Sequence, residues 1–243
     1  MVSEGGDRVG PDPPQHQSIL RPRSELAPPT LGAEIYRRLG AFASTDVSDL
    51  VGRLYTMDAG IRPLYAPIAR VCGPAVTVRL PPGDSWAIAR ALTSSAPGSV
   101  VVVDWMGYHD GCGSGANAIA HAMVSDLAGL VIDGCWRDIG EIQALGFPIF
   151  GRGVSPYSPP KRQPGEFNVP VSCGGVIVQP GDAVIADADG VAVVPRAEIA
   201  SVLAALPDTP PEVRGSLEEY PAADSLLRRA RAYDAKFGSS PTR

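Results

Sequence analysis

The residues best suited to do chemistry are Arg137 and Asp138, side by side after the apolar run Gly129-Leu130-Val131-Ile132-Asp133, with Glu141 three positions further on. A fixed guanidinium beside a carboxylate suits an anionic substrate together with a divalent cation. The run reads as a buried strand that turns at Gly134 and delivers the pair where the strand ends. Ligands of α/β sheets sit at those carboxyl ends. Upstream, residues 106–115 form a glycine-rich loop that feeds a helix over residues 116–127. The N–H groups of Gly115, Ala116, Asn117 and Ala118 would there make an anion site at a helix N-terminus. The loop matches neither a Walker motif nor a dinucleotide fingerprint. Alone it reads as a turn, and Arg137-Asp138 alone reads as a surface ion pair. Together they gain meaning, because a strand-loop-helix-strand unit brings both to one edge of the sheet.

Other candidates have plainer readings. His109 and Asp110 sit in the loop, and His121 lies within the helix, packed or solvated. Ser48-Asp49 reads as helix capping. Asp187-Ala188-Asp189-Gly190 lacks the rest of a calcium loop and reads as a turn. Trp136 reads as packing. The four cysteines, Cys72, Cys112, Cys135 and Cys173, show no C-x-x-C spacing and read as small buried hydrophobes of a reducing compartment.

The elements that must hold the site follow from patterning. Residues 31–42 place Leu31, Ile35, Leu39 and Phe42 on one helical face, and Ser44-Thr45-Asp46 offers an N-cap for a short helix through Leu50. Residues 68–80 read as a strand bulged at Gly73-Pro74. Asp84 is placed to cap a helix over 85–94, and 99–105 is a continuous apolar strand of the kind covered on both faces. Residues 147–150 form a short strand, and 151–168 a long Pro-rich loop positioned to cover the site. Strands are expected over 169–178, 183–186 and 191–194, and a closing helix over 195–206. Residues 1–30 read as a disordered or arm-like extension rich in Pro, Gly, Ser and charge, 31–206 as the catalytic domain, and 207–243 as a helical extension. In that extension an amphipathic helix over 222–237 would turn Leu226, Leu227, Ala230, Tyr233 and Phe237 inward.

Composition narrows the classes. With 243 residues and 44% hydrophobic content, the chain can bury a sizeable core. A net charge of −5 without a Lys/Arg run disfavours a nucleic-acid partner. No membrane-length apolar run or signal peptide is visible, so cytoplasmic placement is the expectation.

Six ordered blocks resemble one family: Asp46-Val47-Ser48-Asp49, Gly73-Pro74-Ala75-Val76-Thr77-Val78, residues 96–104, residues 129–138, residues 174–182 and residues 186–195. The chain is similar, over about residues 33–206, to regulator of ribonuclease activity A and the class II 4-hydroxy-4-methyl-2-oxoglutarate aldolases. The resemblance implies a compact α/β/β/α swivelling-domain-like sandwich, assembled into trimers or hexamers with sites at subunit boundaries. It implies that Arg137 binds the pyruvoyl part of a small 2-oxo acid and that Asp138 coordinates a divalent metal, Mg or Mn. Glu141 follows as the family's acidic residue, and Gly115 through Ala118 as its substrate loop. Aldolases of the family often carry bulky apolar residues there, whereas this chain has Ala116-Asn117-Ala118. An acidic residue near the C-terminus of the adjacent subunit also contributes, for which Glu212, Glu218 and Glu219 are candidates.

The implied chemistry is retro-aldol cleavage to pyruvate, with oxaloacetate decarboxylation as a side activity through the same enolate. A metal on Asp138 would polarise the C2 carbonyl, Arg137 would face the enolate oxygen, and a water ordered by Glu141 or another carboxylate would take the C4 hydroxyl proton. The alternatives are a protein-binding regulator resembling the ribonuclease E inhibitors, which generally lack the Arg-Asp pair, and a diverged member running another enolate reaction.

Overall fold

The computed structural model describes residues 21–28, 31–213 and 224–238. The chain forms two units, residues 1–206 and 207–243. In order, the first unit contains α1 (Ala33–Leu39), α2 (Ser44–Val51), β1 (Arg62–Pro63), β2 (Val71–Arg79), α3 (Trp86–Ser94), β3 (Val100–Ser114), α4 (Ala116–Val124), β4 (Gly129–Trp136), α5 (Ile139–Leu145) and β5 (Ile149–Val154). It continues with β6 (Glu166–Phe167), β7 (Val171–Cys173), β8 (Val176–Val178), β9 (Ala183–Asp187), β10 (Gly190–Val194) and α6 (Ile199–Ala205). The second unit contains α7 (Asp224–Phe237).

One eight-stranded sheet runs β1-β5-β4-β3-β2-β9-β10, with β6 also on β2. Its β2, β3, β4 and β5 are parallel, and β9 joins β2 antiparallel. Side-chain alternation then dictates the layers. Val101, Val103, Leu130 and Ile132 face α3, α4 and α5 in one core. Their strand neighbours Val100, Val102 and Val131 face the other way, against Val184, Ala186, Val191 and Val193 of the β9–β10 hairpin and against β7–β8. The remaining faces of β9 and β10, with Ile185 and Val194, pack on α1, α2 and α6. The result is the expected α/β/β/α sandwich. The strands over 100–103 and 130–132 are buried on both sides, which is why they read as unbroken valine, leucine and isoleucine rather than as alternation.

Four local expectations are corrected. The glycine-rich segment is not a loop: β3 runs on to Ser114, with register shifts against β4 after Val103. Gly134 is not a turn either. It lies inside β4, where a Cβ would come within 2.6 Å of Trp105 Cε3, so the glycine serves close packing. Residues 169–178 are not one strand but the β7–β8 hairpin, turning on Gly174 and Gly175 at positive φ. Ser44 is not the cap of α2. Ala43 occupies that position, its N–H donating to Asp46 Oδ2 at 3.0 Å. Ser44 instead gives its amide and hydroxyl to Asp187, at 2.8 and 2.6 Å.

The described part of the N-terminal extension, residues 21–28, lies on the domain. Phe167 N–H donates to Arg23 O and Glu25 N–H to Phe167 O, while Arg23 Nε reaches Glu166 Oε1 at 3.0 Å. In α7, Leu226, Leu227, Tyr233 and Phe237 are exposed rather than turned inward.

Candidate functional site

Arg137 and Asp138 leave the carboxyl end of β4. Trp136 just before them is fully buried, its indole N–H donating to Phe150 O at 3.0 Å. The Arg137 amide donates to Ser114 O at 3.1 Å, tying the end of β4 to the end of β3. Asp138 takes φ 58°, a left-handed conformation that costs a non-glycine residue about 1 kcal/mol or more and is characteristic of functional sites. Its carboxylate meets the start of α4: Ala116 N–H donates to Asp138 Oδ2 at 3.1 Å, and Arg137 Nε lies 3.4 Å from the same oxygen. Gly115 permits this approach. A Cβ there would collide with the Asp138 carboxylate and stand 3.0 Å from Arg137 Cγ.

These groups line a cavity of about 340 Å³. Gly115, Asn117, Ala118, Arg137 and Asp138 come together in it, as the sequence reading expects. Ala116 is buried and contributes its amide to Asp138. Glu141 is exposed on the first turn of α5 and does not line the cavity. The four amides of 115–118 are not all available. Ala116's is taken by Asp138 and Ala118's by Gly115 O at 3.0 Å, leaving Gly115 and Asn117 N–H without a protein acceptor among the described residues.

The sequence reading did not place the other lining residues at the site, and it took His121 for a packed or solvated side chain and Cys112 for a buried hydrophobe. Ser85, Trp86 and Thr93 come from the start and face of α3, Cys112 and Ser114 from β3, His121 from α4, and Ser158 and Lys161 from the long loop. That loop does cover the site. Asp84, almost fully buried, fixes it: Oδ1 accepts the Trp86 amide at 2.9 Å, the expected helix cap, while Oδ2 accepts the amides of Arg162 and Gln163 at 2.6 and 2.9 Å. Ser114 Oγ is buried and has no hydrogen-bond partner among the described residues. Burial pushes the Cys112 thiol up, so it is not a thiolate nucleophile at neutral pH. His109 lies outside the cavity, Nδ1 4.0 Å from Cys135 Sγ.

Among the described residues Asp138 is the single carboxylate in the lining. Among the described residues no three His, Cys, Asp or Glu side chains form a metal-holding group. A closed zinc cage therefore does not fit. A magnesium-like ion does, since it binds through one or two carboxylates and keeps its remaining positions for water and substrate oxygens. Both contacts of Asp138 fall on Oδ2, which leaves Oδ1 free of protein hydrogen bonds among the described residues.

A separate network holds the frame. Arg152 of β5 pairs with Asp133 of β4 and, through both Nη atoms at 3.1 Å, with Asp58. The other Asp133 oxygen accepts the Gly174 amide at 2.9 Å, fastening the β7–β8 hairpin to the sheet. The hydrogen bonds from Arg152 hold the Asp58 carboxyl below its ordinary range.

The chain is a four-layer α/β/β/α sandwich with a cavity lined by Arg137, Lys161 and Asp138 at the strand ends. The profile of the RraA-like family (Aldolase/RraA) matches residues 44–193, and the chain belongs to that family. It is 39% identical over 160 residues to a protein of Halalkalibacterium halodurans whose name is that of a candidate 4-hydroxy-4-methyl-2-oxoglutarate aldolase, covering 66% of this chain and 76% of the relative. Among solved structures it is similar to RraAS2 of Streptomyces coelicolor, described as an unusual member of the RNase ES inhibitor RraA family. That likeness has a TM-score of 0.63 and 30% identity over 72% of this chain and 91% of the other. It is also similar to the RNA-processing inhibitor RraA of Thermus thermophilus (TM-score 0.57, 28% identity, 63% and 92% covered). No described helix is long and apolar enough to cross a membrane.

Proposed function

We propose that the chain is a divalent-metal-dependent carbon–carbon lyase that cleaves a small 4-hydroxy-2-oxo acid, such as 4-hydroxy-4-methyl-2-oxoglutarate, to pyruvate. The observation that carries this reading is the convergence of Arg137, Asp138 and the unpaired amides of Gly115 and Asn117 on one cavity. The names of the aldolase relatives support it.

Asp138 is the residue that would hold Mg or Mn, and the metal, when bound, supplies Lewis acidity at the C2 carbonyl. Arg137 keeps a permanent positive charge beside the oxygen on which enolate charge develops. The Gly115 and Asn117 N–H groups receive the substrate's C1 carboxylate at the start of α4, where the helix dipole adds to them. Ser158, Trp86 and Lys161 form part of the cavity wall. In this reading the C4 hydroxyl proton passes to a water ordered by a carboxylate, either Glu141, which stands outside the cavity lining, or another acidic residue. The same arrangement would stabilise the enolate from oxaloacetate decarboxylation. Assembly into a trimer or hexamer belongs to this reading and fits the exposed Trp86, Met123, Val124 and Tyr157.

A second reading, a protein-binding regulator of RNA processing, draws on the likeness to the RraA structures. The test is pyruvate release from 4-hydroxy-4-methyl-2-oxoglutarate and from oxaloacetate with Mg or Mn. Release that EDTA abolishes supports the lyase. No turnover of either compound, together with no metal binding by calorimetry, would favour the regulator.

A further inference from the structure

Among the described residues the cavity lining holds two cations, Arg137 and Lys161, and one carboxylate, Asp138. Arg137 is engaged with Asp138 at 3.4 Å. Lys161 lines the same cavity and forms no ion pair or hydrogen bond among the described residues. It is a second cation in the lining, without an ion-pair partner among the described residues.

Its backbone is held in place from both sides. The next two amides, those of Arg162 and Gln163, both end on Asp84 Oδ2. Four residues earlier, Tyr157 O accepts the Cys112 amide at 2.7 Å, which ties the loop to β3. Asp84 has only 2% of its surface exposed, and a buried carboxylate is retained when its hydrogen bonds are made, as all three here are. Fixing a loop over a cavity lowers the ordering entropy that its lysine would otherwise lose on meeting a ligand. The protein thus presents Lys161 from a held stretch of backbone at the cavity wall, separate from the Arg137-Asp138 pair.

We propose that Lys161 reads a second carboxylate on the substrate, and that Asp84 is its positioning residue. This rests on the lyase reading, which occupies Arg137 and the α4 amides with the 2-oxo acid end. The remaining cation then selects dicarboxylic 4-hydroxy-2-oxo acids over monocarboxylic ones. An ammonium–carboxylate contact of this kind at an exposed lysine is worth up to about fivefold in affinity.

The test compares Lys161→Met and Lys161→Arg with the unmodified protein, in the full chain with Mg. The substrates are 4-hydroxy-2-oxoglutarate and 4-hydroxy-2-oxopentanoate, which differ in the distal carboxylate. The expected result is a preference in kcat/KM for the dicarboxylate that falls about two- to fivefold in Lys161→Met and is largely restored in Lys161→Arg. An unchanged preference in Lys161→Met overturns the assignment. A calorimetric arm needs no turnover: 2-oxoglutarate against 2-oxobutyrate, with the same variants. If the protein cleaves neither substrate, the lyase reading fails and this arm decides alone. Weakening of 2-oxoglutarate binding by about two- to fivefold in Lys161→Met, with 2-oxobutyrate binding kept, supports Lys161; equal effects on both ligands contradict it. Lys161 is exposed, so the variants are expected to fold, which a thermal melt checks.

Discussion

The Asp138 carboxylate accepts the Ala116 amide at 3.1 Å, so the residue that begins α5 also caps α4. One side chain therefore has two duties, and substitutions can separate them. Asp138→Asn keeps an acceptor for the Ala116 amide and loses the charge. It is expected to hold stability within about 0.5 kcal/mol while losing metal binding. Asp138→Ala loses both, and should cost an additional 0.5–2 kcal/mol or so, the usual value of an N-cap. Chemical denaturation alongside calorimetric metal titration measures the two effects. Equal stability of the two variants would remove the capping role.

Gly115→Ala is expected to be far more harmful to the site than to the fold. The added methyl collides with Asp138 and crowds Arg137, and both can yield only by leaving their present positions. Activity should fall by about a hundredfold or more, the scale of losing one aligned electrostatic group. Far-UV circular dichroism should stay unchanged. Retained activity would mean that the site tolerates a different placement of the pair.

Arg152→Met leaves the Asp133 carboxylate buried without its cation and frees Asp58. Stripping one member from such a pair costs about 3–5 kcal/mol. The expected outcome is a large drop in the denaturant midpoint, with the hairpin at Gly174 losing hydrogen-exchange protection first.

Asp187 sets an acid limit. Burial alone would raise its pKa, but the Ser44 hydroxyl and amide, the Asp189 amide and Arg70 together hold it below the ordinary range. A carboxyl with a depressed native pKa contributes stability that is complete above its unfolded value, near about 4, and is lost as pH falls through the native one. Thermal melts between pH 6 and 3 should show that loss. Asp187→Asn should be less stable at pH 7, by about 1–3 kcal/mol, and should show a shallower decline toward acid. Parallel curves for the two proteins would assign the acid sensitivity elsewhere.

The sequence shows the strands over 100–103 and 129–133 and the helices after them because doubly covered strands must be apolar throughout. The Arg137-Asp138 pair was legible for a related reason: charge immediately after such a strand marks its carboxyl end. Gly113 and Gly134 misled, since a glycine needed for packing against Trp105 looks in sequence like a glycine needed for a turn. Lys161 was not legible, because its place over the cavity depends on Asp84, some eighty residues earlier, reaching the loop's amides. Arg152, Asp133 and Asp58 likewise reveal no relation in sequence. Only the adjacency of β4 and β5, and the return of the chain past β1, brings them together.

The most direct measurement of the central claim is enolate formation itself, read without knowing the physiological substrate. Pyruvate incubated with the protein and Mg in D2O, followed by proton NMR, should lose its methyl signal as deuterium exchanges in. EDTA should stop the exchange, and Arg137→Ala should lower its rate by at least about a hundredfold. Exchange no faster than with Mg and buffer alone would contradict the account.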